Sequence, residues 1–327
     1  MPQAPEFWAR PGLVSDLLAP LGWAYGAAGA ARRAMTPATR VNVPTICVGN
    51  LTAGGAGKTP VVLSLAQLFN ARGRRPHILS RGYGGNLNGP LQVDPARHSA
   101  SEVGDEPLLL AATAPTWIAA DRCASAQAAI SAGADLLLLD DGFQNPALHY
   151  DVALVVIDAA YGTGNGRVIP AGPLREPVAA ALKRASAIVL IGAKATTLDL
   201  RGLPVLAAQL APLASEDFSG GKVFAFAGIG RPAKFFATLR ELGADVAWTR
   251  DFPDHHPYSA GELDTLAAAA RAKNAALVTT EKDWVRLPAP WRDKIRALKV
   301  ALRWDDPAAL DRVLAPVLKG PLEAAHG

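Results

Sequence analysis

Between Gly54 and Thr59 the chain reads Gly-Gly-Ala-Gly-Lys-Thr, a set of residue types suited to holding a polyphosphate. Gly54, Gly55 and Gly57 let backbone N–H groups face phosphate oxygens, and a helix starting directly after them adds the positive end of its dipole. The Lys58 ammonium then reaches the terminal phosphates and the Thr59 hydroxyl holds Mg²⁺. Where the G-x-x-x-x-G-K-[ST] pattern has its first glycine, this chain has Thr52. The cradle is therefore read as Thr52, Ala53, Gly54, Gly55, Ala56, Gly57, Lys58 and Thr59, its turn held by the side chain of Asn50 or Thr52. A magnesium–nucleotide site also needs an acid at the end of a neighbouring apolar strand. Leu136 to Leu139 followed by Asp140 and Asp141 supplies two, and spacing alone does not choose between them.

Transfer of a phosphoryl group to an acceptor, as opposed to hydrolysis, further requires a base near the acceptor hydroxyl and cations for the acceptor's own charge. Acids and histidines occur in Val103-Gly104-Asp105-Glu106-Pro107 and in Asp254-His255-His256. Guanidinium groups, which bind phosphate bidentately, occur at Arg81, Arg122, Arg167 and Arg175, with Glu176 following as a candidate contact to nucleotide or metal. Each has a plain structural alternative: Asp105 as a helix cap, His255 as decoration of a Pro-rich loop, the arginines as solvated surface charge.

These residues need elements to place them. Thr45–Val48 reads as a strand entering the glycine loop, and Pro60–Phe69 as a helix leaving it. Apolar runs at 76–80, 116–119, 135–141, 152–157 and 187–191 alternate with helical segments at 106–112 and 124–132. Unbroken apolar strands alternating with helices predict a doubly wound, mostly parallel sheet whose ligands lie beyond the strands' carboxyl ends. A second series, with strands at 223–227, 245–248 and 276–280 and helices at 232–242 and 259–272, predicts a smaller α/β/α domain. The expected division is an amino-terminal helix and lead-in (1–40), a P-loop domain (41–215) and the smaller domain (216–327), whose strand at 300–304 turns back toward the first.

With 327 residues, 50% hydrophobic and 19% charged, the chain is long enough for one large or two medium cores. A net charge of +4 suits an anionic partner without naming it, and two cysteines outside any metal-ligand spacing suit a reducing compartment. The segment 13–31 is apolar but holds Asp16, Pro20 and three glycines, so it does not read as a spanning helix. Leu13, Leu17, Leu18 and Leu21 recur at helical spacing with Trp23 and Tyr25 nearby, which fits either a helix lying in a membrane interface or one docked on the protein's own core.

Taken in order, VGNLTAGGAGKTP, ILSRGYGG, VGDEPLLLA, LLLLDDGFQNPALHYD, GRVIPAGPLREP, FAGIGRPAKFF, FPDHHPYS and LVTTEKDWVRL resemble the tetraacyldisaccharide 4'-kinase family over nearly the whole chain. The resemblance implies a P-loop NTPase-type α/β fold with an active-site cleft between two domains and an amphipathic, membrane-associated amino-terminal helix. It implies ATP and Mg²⁺, and a lipid-linked glucosamine disaccharide 1-phosphate as acceptor at the cytoplasmic face of the bacterial inner membrane. Neither nucleic acid nor an obligate protein partner is implied. Within it the catalytic aspartate falls on Asp105 with His255 as partner, placed there because it directly follows Asp254, alongside Lys58 and Asp141. The competing reading is a P-loop ATPase or GTPase that drives a partner protein; the second lysine such loops often carry is absent from Leu51-Thr52-Ala53.

Overall fold

The computed structural model describes residues 5–192, 200, 202–213 and 218–318. Two sheets organise it. In the larger sheet β1 (Thr45–Asn50), β2 (Pro76–Ser80), β4 (Thr116–Ile118), β5 (Leu136–Asp140), β6 (Val152–Asp158), β7 (Ala187–Ile191) and β8 (Val205–Pro212) run parallel. Short β3 (Leu91–Gln92) and β13 (Val300–Trp304) add antiparallel edges. The smaller sheet, β9 (Lys222–Ala227), β10 (Asp245–Asp251), β11 (Ala276–Thr280) and β12 (Arg296–Leu298), is parallel throughout. Among the described residues the nine strands of the larger lie in the order β13-β8-β7-β6-β1-β5-β2-β4-β3 and the four of the smaller in the order β10-β9-β11-β12.

Every residue of β1, β5, β6 and β7 is buried, as strands covered on both faces require. The Lys58–Ala71 helix turns Val61, Val62, Leu65 and Phe69 onto one face, and Ala126 and Ala129 of the Arg122–Ser131 helix cover the other. Flanking the smaller sheet, the Pro232–Glu241 helix contributes Phe235, Phe236 and Leu239, and the Ala260–Arg271 helix Leu263 and Leu266. β1 lies between β5 and β6, so the loops after these central strands open on one edge of the sheet.

The expected boundary at 215/216 falls on residues 214–217, outside the described residues. What is described is the crossing itself. The chain leaves the larger sheet after β8 and re-enters it through β13, and Leu213 N–H donates to Lys299 O at 3.0 Å where the two segments pass. β8, β12 and the Pro307–Leu318 helix go beyond the elements read from sequence. β8 (VLAAQLAP) is half-exposed and rich in small residues, and the carboxyl-terminal helix contains Pro316, so neither has a clean periodic pattern. That helix nevertheless buries Leu310, Leu314 and Val317 on the larger sheet.

The amino-terminal helix, Leu13–Met35, docks by its small residues. Ser15, Ala19, Gly22 and Gly26 are buried, and a Cβ on Gly22 would lie 2.7 Å from Val168 O. Leu13, Leu17 and Leu21 therefore point the opposite way, with Leu13 83% and Trp23 72% exposed. Among the described residues no helix is long and apolar enough to cross a membrane. Replacing Phe69, fully buried between helix and sheet, by alanine is expected to cost about 3–5 kcal/mol, read as a lower urea midpoint with little change in slope.

Candidate active site

β1 delivers the glycine loop. Asn50, buried at its end, donates through Nδ2 to Thr52 O (2.7 Å) and Gly54 O (3.2 Å), so its amide closes the turn that a first glycine would otherwise make. The segment 173–175 braces the outside: Ala53 N–H donates to Pro173 O (2.7 Å) and Arg175 N–H to Leu51 O (2.8 Å). Gly57 has φ +86°, a backbone conformation that favours glycine, and a Cβ there would also displace the Ile191 side-chain tip, 2.6 Å away. A Cβ on Gly54 or Gly55 would meet nothing within 4 Å, which leaves the cradle open to a ligand. Lys58 and Thr59 begin the helix that follows.

The two acids at the end of β5 differ. Asp141, at φ +53°, has its carboxylate 3.6 Å from Lys58 Nζ and accepts from Arg175 Nη1 at 2.8 and 3.0 Å. Burial would raise its pKa, but Lys58 and Arg175 outweigh burial and hold the group below the usual carboxylate range. Asp140 is buried, its Oδ1 has no hydrogen-bond partner among the described residues, and Ser80 Oγ lies 3.5 Å from its Oδ2. Burial, helped by the charge of Glu106 and opposed by Lys58, pushes its pKa up to about 7. A buried carboxylate oxygen without a donor, beside an open phosphate cradle, fits a divalent cation. Mg²⁺ takes one or two carboxylates and completes its shell with phosphate oxygens and water, so Thr59 with Asp140 and Asp141 is an adequate donor set.

Arg122, also buried, donates to Asp140 O at 3.2 Å and keeps Nη1 without a partner among the described residues.

A second cluster joins the two sheets. Asp105, 4% exposed, opens the Asp105–Ala111 helix after Gly104, which is the capping position. His255 Nδ1 comes from the smaller unit to within 3.0 Å of Asp105 Oδ2. The contact is close but not in line, and Oδ2 retains no well-formed hydrogen bond among the described residues. Lys282 Nζ lies 3.9 Å and Arg286 Nε 3.6 Å from the same oxygen. Burial alone would push the Asp105 carboxyl up; His255, Lys282 and Arg286 together hold it below its ordinary value. Lys282 also lies 3.6 Å from Glu106, 3.9 Å from Asp254 and 3.3 Å from His255 Nε2. His255 sits at φ +60°, a conformation a non-glycine residue adopts only when its surroundings impose it. His256 turns away and pairs with Glu262 at 3.0 Å.

The other sequence-predicted residues separate. Arg175 joins the phosphate loop through Asp141, whereas Arg81 is exposed and Arg167 pairs with Asp16 of the amino-terminal helix. Glu176 is buried and held by Arg33 (3.3 Å), by Arg184 (2.9 Å to each oxygen) and by Gln144 (3.3 Å), a structural knot between that helix and the loop region. Sequence reading missed Arg231, which ion-pairs with Asp158 at 2.5 Å and approaches Gly55 O at 3.4 Å. It also missed Arg286. Lys282 and Arg286 are four residues apart, a spacing that in a longer helix would put both on one face, but the helix ends at Trp284 and only tertiary contacts bring both to Asp105.

A central strand running into a glycine loop and helix, with acids at the end of the adjacent parallel strand, defines a P-loop phosphoryl-transfer protein. The family model for tetraacyldisaccharide-1-P 4'-kinase, LpxK, matches residues 14–319. The tetraacyldisaccharide 4'-kinase of Rhodospirillum centenum is 57% identical over 97% of both chains, and that of Parvibaculum lavamentivorans 53% over 89% of both. The crystal structure of LpxK from Aquifex aeolicus in complex with ATP matches with a TM-score of 0.77 at 27% identity, covering 93% of this chain and 99% of that one. The chain belongs to the tetraacyldisaccharide-1-P 4'-kinase family.

The raised pKa of Asp140 has a signed consequence for stability. The folded state holds this proton to about pH 7, whereas the unfolded chain releases it near 3.8. Ionised Asp140 thus destabilises the fold increasingly as pH rises between those values, and by a constant amount above. In EDTA, Asp140→Asn is expected to melt higher than the parent protein, with a gap that widens from about pH 4 to 7 and then levels off. Thermal melts across that range check it; a variant that melts lower at pH 8 contradicts it.

Proposed function

We propose that this chain transfers the γ-phosphoryl of ATP to the 4'-hydroxyl of a tetraacylated glucosamine disaccharide 1-phosphate. The observation that supports the assignment of roles is the Asp105–His255 contact, which brings a buried carboxylate of one unit against an imidazole of the other. Gly54 to Thr59 hold the triphosphate, with Lys58 at its terminal phosphates. The acceptor oxygen attacks the γ-phosphorus in line, an O–P bond forms, the bond from that phosphorus to the β,γ-bridging oxygen breaks, and ADP leaves. Asp105 receives the hydroxyl proton late in the step, and His255 orients the carboxylate and shares that proton. Mg²⁺, held by Thr59 with Asp140 and Asp141, would supply charge neutralisation on the phosphates. Arg175 holds Asp141 in its ionised form, and Arg122 is placed behind the pair.

The same reading seats the protein on the cytoplasmic face of the inner membrane. Its support is the amino-terminal helix, which docks by small residues and leaves Leu13, Leu17, Leu21 and Trp23 exposed. The basic residues nearby are engaged within the protein, Arg32 with Gln144 O, Arg33 with Glu176 and Arg40 with Asp151. The apolar face supplies buried area for such binding, and the charge that Arg32 keeps beside a neutral carbonyl adds attraction to anionic lipid.

Incubation with γ-labelled ATP and the tetraacylated disaccharide 1-phosphate in detergent is expected to label the lipid; labelled free phosphate alone would favour an ATPase that drives a partner. Asp105→Ala is expected to lower kcat by about 10²–10⁴ while ATP affinity stays within about threefold. An unchanged rate removes Asp105 from the base role. Changing Leu13, Leu17 and Leu21 together to Asp is expected to weaken sedimentation with anionic vesicles by at least about 100-fold, since each buried leucine contributes roughly 1.5–3 kcal/mol. Parent-like sedimentation of the folded variant would remove the helix from that role.

A further inference from the structure

Behind Asp105 stands a cation fixed from every side. Arg286, whose side chain is 4% exposed, donates through Nε to Lys282 O (3.1 Å) and through Nη1 to His256 O (3.4 Å). Its Nη2 donates to Gly228 O (2.9 Å) and to Asp283 Oδ1 (2.7 Å). Asp283 is fully buried and is itself saturated: it accepts from Gly228 N–H (2.9 Å), Tyr258 Oη (2.8 Å) and Thr280 Oγ1 (2.6 Å). All of these partners belong to the smaller unit. The contact that reaches outside it is the 3.6 Å approach of Nε to Asp105 Oδ2.

An arginine needed only to hold the smaller unit together has no reason to present its edge to a buried carboxylate on another sheet. The hydrogen-bonded Arg286–Asp283 pair is the one that is costly to break, and it holds the guanidinium in place; at 3.6 Å the approach to Asp105 is an ion-pair contact that acts on the carboxylate's charge. The same guanidinium holds the two backbone carbonyls that flank His255 in space, those of Gly228 and His256, and His255 N–H donates to Gly228 O at 3.1 Å. One planar group thereby fixes both the loop that forces His255 to φ +60° and the far side of Asp105.

We infer that Arg286 is a positioning residue for the Asp105–His255 pair and that buried Asp283 is the anchor that fixes it. The inference rests on the proposed base role of Asp105 and goes beyond it, because Arg286, with its side chain 4% exposed, is placed to act through Asp105. Lys282 is a different kind of group. It is partly exposed among Asp105, Glu106, Asp254 and His255 and makes no comparable fork of hydrogen bonds.

A double-mutant cycle in the lipid-kinase assay tests this. Arg286→Gln is expected to lower kcat at least about tenfold with KM for ATP within threefold, and Arg286→Lys to recover part of the loss. In an Asp105→Asn background the same Arg286→Gln change is expected to cost less than threefold, since the group it positions is already disabled. Equal losses in both backgrounds would make Arg286 a scaffold residue and overturn the inference, as would a folded Arg286→Gln enzyme of parent-like kcat. If Arg286→Gln does not fold, Arg286→Lys goes through the same cycle, with a loss expected only where Asp105 is intact. Asp105→Asn at full rate would overturn the base role and this inference together, which separates that failure from one confined to Arg286.

Discussion

The contact on which the arrangement depends is the one between Asp105 and His255, because its two halves belong to different sheets. Asp105 is held at the start of a helix on the larger sheet, and His255 on a strained loop of the smaller one. Neither environment alone would keep a buried carboxylate ionised. Burial works against the charge, and the compensating groups, the His255 imidazole and the Lys282 and Arg286 cations, all arrive from the smaller unit. The packing of the two units thus buries the carboxylate and in the same step supplies the groups that keep it ionised there.

The phosphate loop meets the same electrostatic problem in a different way. Asp140 and Asp141 are adjacent in sequence, yet one is held ionised by Lys58 and Arg175 while the other is driven toward the neutral form by burial. The pair resembles a partly charged socket: its ionised member orders the lysine, and its frustrated member retains an unmet need for a cation. Such frustration is tolerated where a ligand relieves it, and it lowers the stability of the empty protein.

Legibility in the sequence followed local chemistry. The glycine loop, the all-buried strands and the paired acids announce themselves because each is a property of neighbouring residues; a side chain closing the Thr52 turn is readable for the same reason, and the structure gives that part to Asn50 over Thr52. Asp105 and His255 were not legible from chemistry alone. They lie 150 residues apart, and only resemblance to a family brought them together; without it Asp105 reads as a cap. The Gly104 cap and the burial of Asp105 show what the residue pattern hid. Arg167 and Glu176 illustrate the opposite difficulty. Their types suit phosphate and metal, but the amino-terminal helix, by supplying Asp16 and Arg33, engages them, and no local pattern foretells a partner so far along the chain. That helix also inverts the usual rule, since its small residues lie inside and its leucines outside.

The crossing between the sheets has a mechanical consequence. The smaller unit hangs from two segments, one leaving β8 and one entering β13, and these are neighbours hydrogen-bonded to each other from Leu213 to Lys299 onward. Away from this crossing the smaller unit also meets the larger through His255 and Arg286 at Asp105 and through Arg231 at Asp158 and Gly55 O. The acceptor-side carboxylate and the rim of the phosphate cradle therefore share one seam, so a change in how the smaller unit seats on the larger is felt at both.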